Sequence, residues 1–226
     1  MSVVPALYYD PGLEPRNVRA ALVWGLNMPG CPRTESVPRY LSELLDSVRA
    51  AGESFIPPAR KSAVRAMLRY RKYRPAGRSK PSSEYLLAAV LQDDFPLVNG
   101  PVDSNNAVSL KWGYPASIFD MGLCGTDLLL RRGLPGESYI FNPSGQSIDL
   151  EDLLCVCRRD GESWQPCGNP VKDAMATKIG ELTRGVVAVV YAPPTDPKED
   201  LESAATCFAA LLHSECGATE SDWVVP

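Results

Sequence analysis

Two hydrophobic patterns divide the chain, and they predict helices in the first half and strands in the second. An apolar run at 18–26 is typical of a buried strand. Apolar residues then recur at helical spacing over 37–52, 59–73, 81–92 and 102–113. Short apolar runs bounded by Gly, Pro, Asn and Ser follow at 127–132, 137–141, 152–157 and 185–193 and indicate strands. A last helical pattern covers 197–217.

Residues that favour helix ends support these boundaries. Pro57 and Pro58 precede the second predicted helix, and Ser82 or Ser83 is a suitable N-cap for the third. Pro197 fits the first turn of the last helix, which Gly217 would end. We therefore expect each of these helices to begin and end near those positions.

The order of the elements favours an α+β fold. Helices come first and strands later, without the regular alternation of a doubly wound α/β fold. A chain of 226 residues corresponds to one large domain or two small ones. It contains no internal repeat and no long linker, so we expect a single domain over residues 1–226.

Composition narrows the protein class without indicating an activity. Hydrophobic residues make up 45% of the chain and charged residues 22%, which is ordinary for a globular protein. No apolar run approaches the ~20 residues that cross a bilayer, and the first residues lack the pattern of a secretory signal. We therefore expect a cytoplasmic protein that does not interact with a membrane.

The cysteines and the one histidine limit the available chemistry. The seven cysteines are an odd number, which favours reduced thiols. Cys155, Cys157 and Cys167 could supply zinc ligands, but the first two lie in an apolar run and fit a buried strand better, so no metal site is predicted. His213 is the only histidine and lies near the end of the last helix. There it serves either as a favourable helix-end residue or as a catalytic base.

Charge is unevenly distributed along the chain. The net charge is −4, yet residues 60–80 contain nine basic residues and no acid, whereas residues 149–226 contain 14 acids and six basic residues. Tyr70 and Tyr73 lie among the basic residues. Aromatic and basic side chains together suit single-stranded nucleic acid, although a solvated helix face would have the same pattern. The predicted RNA-binding residues are Arg65, Arg69, Arg71, Lys72, Arg74, Arg78 and Lys80.

The most informative motif is DSNNAVSLKWGYPASIFD, residues 103–120. Asn105 and Asn106 offer amide donors and acceptors that either bind a ligand or cap the predicted helix. Asp120 is a candidate for orienting water or for capping a turn. Lys111 would either face a phosphate or be solvated.

This motif resembles the start of the B3/B4 editing domain of the bacterial phenylalanyl-tRNA synthetase β chain. That family reads D-V-T-N-Y-V-x-L-x-x-G-Q-P-x-H-x-F-D in the same frame. The resemblance continues in order through LLLRRGLPGESYIF, DLEDLLCVC and GNPVKDAMATKIGELTRGVVAVVYA. RYRKYRPAGRSKPSSEYLL and LVNGPVDSNN resemble freestanding members of the superfamily. The resemblance implies an α+β domain with a central, largely antiparallel, barrel-like sheet flanked by helices.

The resemblance also implies catalytic positions. The family's threonine and asparagine fall on Asn105 and Asn106, and its histidine falls on Ser117. Its loop glycine best matches Gly168, whose backbone would face the developing oxyanion. Because Ser117 replaces the histidine, we expect catalysis by positioning of water and ester, without an imidazole base.

The remaining expected site residues concern the substrate. Asp103, Trp112 and Asp120 belong to the motif and are predicted to bind substrate. The family's glutamate, which lies near the edited side chain, falls near Val189. No acid occurs between residues 181 and 196, so selection of tyrosine by a carboxylate is not expected.

The implied function is hydrolysis, in trans, of the ester of wrongly charged aminoacyl-tRNA. Such editing is needed where a binding pocket separates similar amino acids by only ~1–3 kcal/mol. The implied partner is tRNA with its aminoacylated 3′ end, and a synthetase is a further candidate. Binding of DNA is not expected. No cofactor is implied. Two alternatives stay open, a binding module without turnover and a transferase that passes the aminoacyl group to an amine.

Overall fold

The computed structural model describes residues 4–13 and 17–226. In these residues ten strands and six α-helices occur. The strands are β1 (Ala6–Tyr9), β2 (Arg19–Leu26), β3 (Ala116–Asp120), β4 (Asp127–Arg132), β5 (Ser138–Ile140), β6 (Ser147–Asp149), β7 (Leu154–Asp160), β8 (Ser163–Gly168), β9 (Val186–Ala192) and β10 (Glu220–Val224). The helices are α1 (Arg39–Ala51), α2 (Pro58–Leu68), α3 (Ser82–Leu91), α4 (Gly100–Trp112), α5 (Met121–Cys124) and α6 (Lys198–Ser214).

The strands form two four-stranded sheets and a hairpin. The first sheet has the order β1-β4-β7-β8 and the second has the order β10-β2-β9-β3, while β5 pairs with β6. Every pair is antiparallel except β1 with β4. The predicted α+β class with largely antiparallel strands is therefore confirmed. The strands are divided between two sheets, neither of which closes into a barrel within the described residues.

The main hydrophobic core joins both sheets to the helices. It includes Leu22 and Val189 from the second sheet, Leu128 and Val156 from the first, and Phe208 from α6. A smaller core packs α1, α3 and α4 against one another. This packing holds α4 beside β3, the last strand of its sheet, where the candidate site lies.

The second helix is shorter than its pattern predicts. α2 ends at Leu68, and Arg69 already has extended backbone angles. The guanidinium of Arg132, on β4, donates to the carbonyl oxygens of Met67 and Leu68 at 3.2 Å each. A side chain from another element therefore satisfies carbonyls that continued helix would have used. Tyr70 and Tyr73 form an isolated bridge around a turn instead.

Two predicted helix ends are also wrong. Pro81, without a side-chain hydrogen bond, precedes α3, so neither Ser82 nor Ser83 is the N-cap. α4 begins at Gly100, two residues earlier than predicted, because the Asn99 side chain accepts a hydrogen bond from the Val102 amide. Asn105 and Asn106 consequently lie inside the helix rather than at its start, which excludes capping as their role.

Other elements agree with the sequence pattern or extend it. Gly52 follows α1 with a φ of +60°, and Pro197 precedes α6, which ends at Ser214, three residues before Gly217. β1, β3, β6, β8 and β10 were not predicted. In the described residues no helix is long and apolar enough to span a bilayer. A single domain over 1–226 stays a prediction.

Candidate functional site

Asn105 and Asn106 lie in a cleft between α4, the open edge of β3 and the loop of residues 169–179. The volume of this cleft, called the amide cleft below, is about 200 Å³. Its wall includes Asn105, Asn106, Ala116, Ile118, Asn169 and Asp173. The two predicted asparagines therefore face a concave surface together with residues from three other parts of the chain.

Asn105 has unused hydrogen-bonding capacity in this cleft. The residue is 5% exposed, and its Oδ1 has no hydrogen-bond partner among the described residues. Its Nδ2 lies 3.4 Å from Oδ1 of Asn106. A buried acceptor without a partner costs about 1–3 kcal/mol, so a side-chain movement that lets Asn105 Oδ1 accept a hydrogen bond from a ligand would recover that free energy.

Asp103 holds α4 in position instead of facing the cleft. Its Oδ1 accepts from the backbone amide of Val98 at 2.8 Å, and its Oδ2 accepts from the hydroxyl of Thr34. Burial raises the pKa of this carboxyl, while the two hydrogen bonds oppose the rise. The residue is fully buried, so the predicted substrate contact would have to be indirect.

Ser117, the position of the family's histidine, belongs to a buried hydrogen-bond chain. The Tyr191 hydroxyl donates to Ser117 Oγ at 3.0 Å, and Ser117 Oγ donates to the carbonyl of Asn169 at 3.2 Å. Val189 pairs directly with Ser117 across β9 and β3 and is also fully buried. Neither residue is part of the walls of the amide cleft.

The loop after β8 is tied down by its own side chains. Asn169 Oδ1 accepts from the amides of Val171 and Lys172 at 2.8 and 2.9 Å. The Tyr139 hydroxyl donates to the Lys172 carbonyl at 2.6 Å and accepts from Asn169 Nδ2. This network gives the loop, and therefore Asp173, a defined position beside β3.

Gly168 matters because nothing larger fits there. A Cβ at this position would lie 2.4 Å from the Phe119 ring and 2.6 Å from Oδ1 of Asp173. Gly168 is the last residue of β8 and pairs with Val156 of β7. The glycine thus lets the loop close over Phe119; it does not line the amide cleft itself.

Asp173 is the functional candidate that sequence reasoning missed. Its Oδ2 accepts from the Ile118 amide at 3.1 Å, whereas its Oδ1 is closed to solvent and has no partner among the described residues. Burial raises the pKa of this carboxyl to about 7, against the effects of the hydrogen bond from the Ile118 amide and of the Lys178 charge. A carboxyl with a pKa near neutrality is suited to proton transfer. The one signal in the sequence was its position five residues after Gly168, the glycine matched to the family's loop.

A second cleft shares the wall that contains Asp173. Its volume is about 650 Å³, and we call it the basic cleft. Its side chains include Arg78, Lys80, Tyr85, Phe141, Lys172 and Lys178. Val171, Lys172, Asp173 and Lys178 line both clefts. The two concave surfaces therefore meet at the loop that carries Asp173.

The predicted RNA-binding residues do not form one surface. Arg78 and Lys80 line the basic cleft, whereas Arg69 lines another cleft of about 680 Å³ beside Tyr70 and Arg132. Arg65 pairs with Glu84 and Lys72 with Glu151.

Local contacts also occupy the other predicted RNA-binding residues. Arg74 donates to the carbonyls of Arg71 and Tyr73, and the Arg71 guanidinium lies 5.2 Å from the centre of the Tyr70 ring. Only Arg78 and Lys80 of the predicted set lie beside the candidate site.

Trp112 and Asp120 lie outside the amide cleft. Trp112 lines a groove of about 360 Å³ with Tyr40 and Cys207, and the Lys111 ammonium lies 4.6 Å from the centre of its indole ring. Asp120 caps α5 by accepting from the Gly122 amide at 2.7 Å, and it also accepts from the Thr183 hydroxyl. Of the two alternatives for Asp120, capping is therefore the role with visible contacts.

Three buried cysteines and the histidine are also sequence-based candidates for metal ligands or catalytic groups. Cys155, Cys157 and Cys167 are buried, and burial raises the pKa of each thiol. No cluster of three potential metal ligands occurs in residues 4–13 and 17–226. His213 lies in the last turn of α6, where its Nδ1 is 2.8 Å from the carbonyl oxygen of Ala218.

Comparison with known proteins gives likenesses among solved structures and no family. No family model matches the chain, and no curated protein matches it. Among solved structures, similarity is found to an N-terminal fragment of the phenylalanyl-tRNA synthetase beta subunit from Pyrococcus horikoshii, at 12% identity and a TM-score of 0.49. The match covers 98% of this chain and 52% of that fragment, so the chain spans about half its length. A likeness at this level assigns no activity, and the function must be argued from the clefts.

Proposed function

We propose that this protein binds the aminoacylated 3′ end of tRNA and hydrolyses the ester that joins the amino acid to the ribose. The observation that carries the proposal is the position of Asp173, at the wall shared by a cleft of amides and a cleft of cations. The aminoacyl group would occupy the amide cleft, and the RNA would approach from the cationic side. The resemblance of residues 103–120 to the editing domain of the synthetase supports the same assignment.

The proposed chemistry needs a proton acceptor, and Asp173 is the carboxyl that both clefts share. Because Oδ1 of Asp173 is closed to solvent, Oδ2 takes a proton from a water molecule while the water oxygen bonds to the ester carbonyl carbon. The carbon–oxygen bond to the ribose then breaks, and the same proton passes to the departing ribose oxygen. The products are a free amino acid and uncharged tRNA, so no oxidant, reductant or cofactor is required.

Asn105 and Asn106 would position the reacting groups. Asn106 is half-buried at the cleft and brings an amide N–H group that suits the oxyanion of the tetrahedral intermediate. The free Oδ1 of Asn105 suits the α-amino group of the aminoacyl moiety. Alignment of the reactants can contribute about 7–11 kcal/mol to lowering the barrier, so this arrangement works without a histidine.

The first test is a panel of correctly and wrongly charged tRNAs mixed with the purified protein, with ester loss followed over time. Selective hydrolysis of one or a few wrongly charged species is the expected result. Asn106→Ala should remove hydrolysis and retain tRNA binding, whereas the exposed control Asp160→Asn should leave both unchanged. Ester loss at the buffer rate across the whole panel would overturn the proposal, and retained binding would then favour the binding module.

A further inference from the structure

The basic cleft contains four cations without a visible counter-charge. Arg78, Lys80, Lys172 and Lys178 make no salt bridge with any residue that the structure describes. Asp173 is the only acid among the described residues that line the wall. By contrast, Arg65 and Lys72, which are close in sequence, are paired with acids. A cleft with four positive charges and one buried carboxyl attracts an anion.

The positive charges in the basic cleft lie close enough to repel one another. The pKa of Lys172 is lowered by burial first and then by the positive charge of Arg78. Mutual repulsion of this kind is relieved when an anion binds between the charges. The anion would also displace few internal contacts, because none of the four ammonium or guanidinium groups forms a salt bridge within the described residues.

Aromatic rings accompany the cations. The Lys172 ammonium lies 3.8 Å from the centre of the Phe141 ring, and the Lys80 ammonium lies 5.9 Å from the centre of the Tyr85 ring. Tyr85 is 56% exposed, so much of its side chain is accessible to a ligand. Cations that track phosphates, combined with exposed rings on which bases stack, suit single-stranded RNA.

We infer that the basic cleft is a nucleotide-binding subsite, in which the last unpaired nucleotides of the RNA lie with phosphates on Lys172, Lys178 and Arg78 and a base on Tyr85. This inference rests on the proposed function for the identity of the RNA. It changes the predicted interface, because Lys172 and Lys178 come from a segment far from the basic sequence stretch. The segment around Arg69 and Arg71 is then not the main RNA contact.

The subsite is tested with uncharged RNA, which separates it from catalysis. The probes are fluorescein-labelled uncharged tRNA and a short single-stranded RNA ending in CCA, with affinity measured by anisotropy between 50 and 300 mM salt. The variant is Lys172→Gln/Lys178→Gln, and its matched control outside the cleft is Lys61→Gln/Lys198→Gln. Circular dichroism and the melting temperature of each variant establish that it is folded.

We expect the cleft variant to bind both RNAs at least about tenfold more weakly at 50 mM salt and to lose about one unit or more of salt slope. The control should keep both quantities. Tyr85→Ala should weaken binding about tenfold without changing the slope, because stacking carries no charge. The same losses for full tRNA and the short RNA would show that the contact is with the 3′ end.

Three results would overturn the inference. The first is unchanged affinity and slope in the cleft variant. The second is a larger loss in Arg69→Gln/Arg71→Gln than in the cleft variant. The third is a combined result, in which pyrophosphate competes with the RNA and binds as tightly as the RNA does, while Tyr85→Ala has no effect on RNA affinity. That combination would indicate a site for free phosphate. Ester hydrolysis by the wild-type protein with any of these results would leave the proposed function standing.

Discussion

Oδ2 of Asp173 accepts a hydrogen bond from the backbone amide of Ile118 at 3.1 Å. Ile118 lies on β3, the edge strand of its sheet, so this carboxylate occupies a position that a further strand would otherwise take. The contact joins the loop after β8 to the strand beside α4. It therefore brings an ionisable group to the asparagines of α4.

Replacement of Asp173 by Asn tests its proposed role as a base. Asn keeps the size and the acceptor for Ile118 but cannot take a proton from water, so hydrolysis should fall about 10²–10⁴-fold. Binding of uncharged tRNA should be retained. Turnover of charged tRNA by Asp173→Asn at the wild-type rate would contradict the role. Partial rescue of Asp173→Ala by added formate would identify the missing group as a carboxylate.

The hydrolysis rate should depend on pH through the same carboxyl. Because its pKa is raised to about 7, the base is protonated below that pH, and kcat should rise through pH 7 to a plateau. Lys178 faces it as a cation, while the pKa values of Tyr139, Cys167 and Tyr191 lie well above their usual ranges. Those three groups stay neutral in this window. A flat profile, after subtraction of the buffer rate, would exclude Asp173 as the titrating base.

The contribution of Asp173 to folding stability should fall with rising pH, whereas the hydrolysis rate should rise. The folded protein holds a proton on Asp173 more tightly than the unfolded chain does, since its pKa is raised from 3.8 to about 7. This contribution to stability is fully present below pH 3.8 and is lost as pH rises through 7. Asp173→Asn should therefore melt at a higher temperature than the wild type at pH 8, with a smaller difference near pH 4. An equal or lower melting temperature at pH 8 would be inconsistent with the raised pKa.

Gly168→Ala should disturb the loop without adding a functional group. Its Cβ would lie 2.4 Å from the Phe119 ring and 2.6 Å from Asp173 Oδ1, and such overpacking costs about 1–3 kcal/mol. We expect a lower free energy of unfolding in urea and reduced hydrolysis. Gly180→Ala is the matched control, because nothing lies within 4 Å of its added Cβ. Equal stability of the two variants would show that the loop moves freely away from Phe119.

Replacement by alanine should change stability differently at Asn99, the N-cap of α4, and at Asn105, inside the helix. Asn99 caps the helix through the Val102 amide, so Asn99→Ala should cost about 1 kcal/mol of unfolding free energy. Asn105 has an unpartnered Oδ1 in the helix interior, so Asn105→Ala should leave stability unchanged or raise it, because Ala favours helix. Hydrolysis should be lost in Asn105→Ala alone. A large loss of stability there would assign Asn105 a structural role.

The pattern of the chain predicted much of the fold because local periodicity reports which residues are buried. The helices α1, α2, α3, α4 and α6 and the strands β2, β4, β5, β7 and β9 all fall on predicted segments. The unpredicted strands are short or lie at edges, such as β1, β3, β6 and β10, where few residues alternate. The end of α2 at Leu68 was hidden because Arg132, 64 residues away, caps it.

The sequence likewise predicted some residues of the candidate site and not others. Residue types and their order indicated Asn105 and Asn106, and both face the cleft. Ser117 and Asp103 are buried beside it, and Trp112 and Asp120 lie elsewhere, because residues adjacent in a motif point in different directions on a helix and a strand. Val189, on the neighbouring strand, is buried with Ser117.

By itself, the sequence determined the α+β class, the segments that form most helices and strands, and the segregation of charge. These follow from side-chain periodicity and composition, which act over a few neighbouring residues. Only the tertiary structure decided that Asp173 meets the cleft of Asn105, and that Lys172 and Lys178 join Arg78 and Lys80. Those meetings depend on how the loop after β8 packs against β3 and the hairpin of β5 and β6, and local sequence carries no record of such contacts.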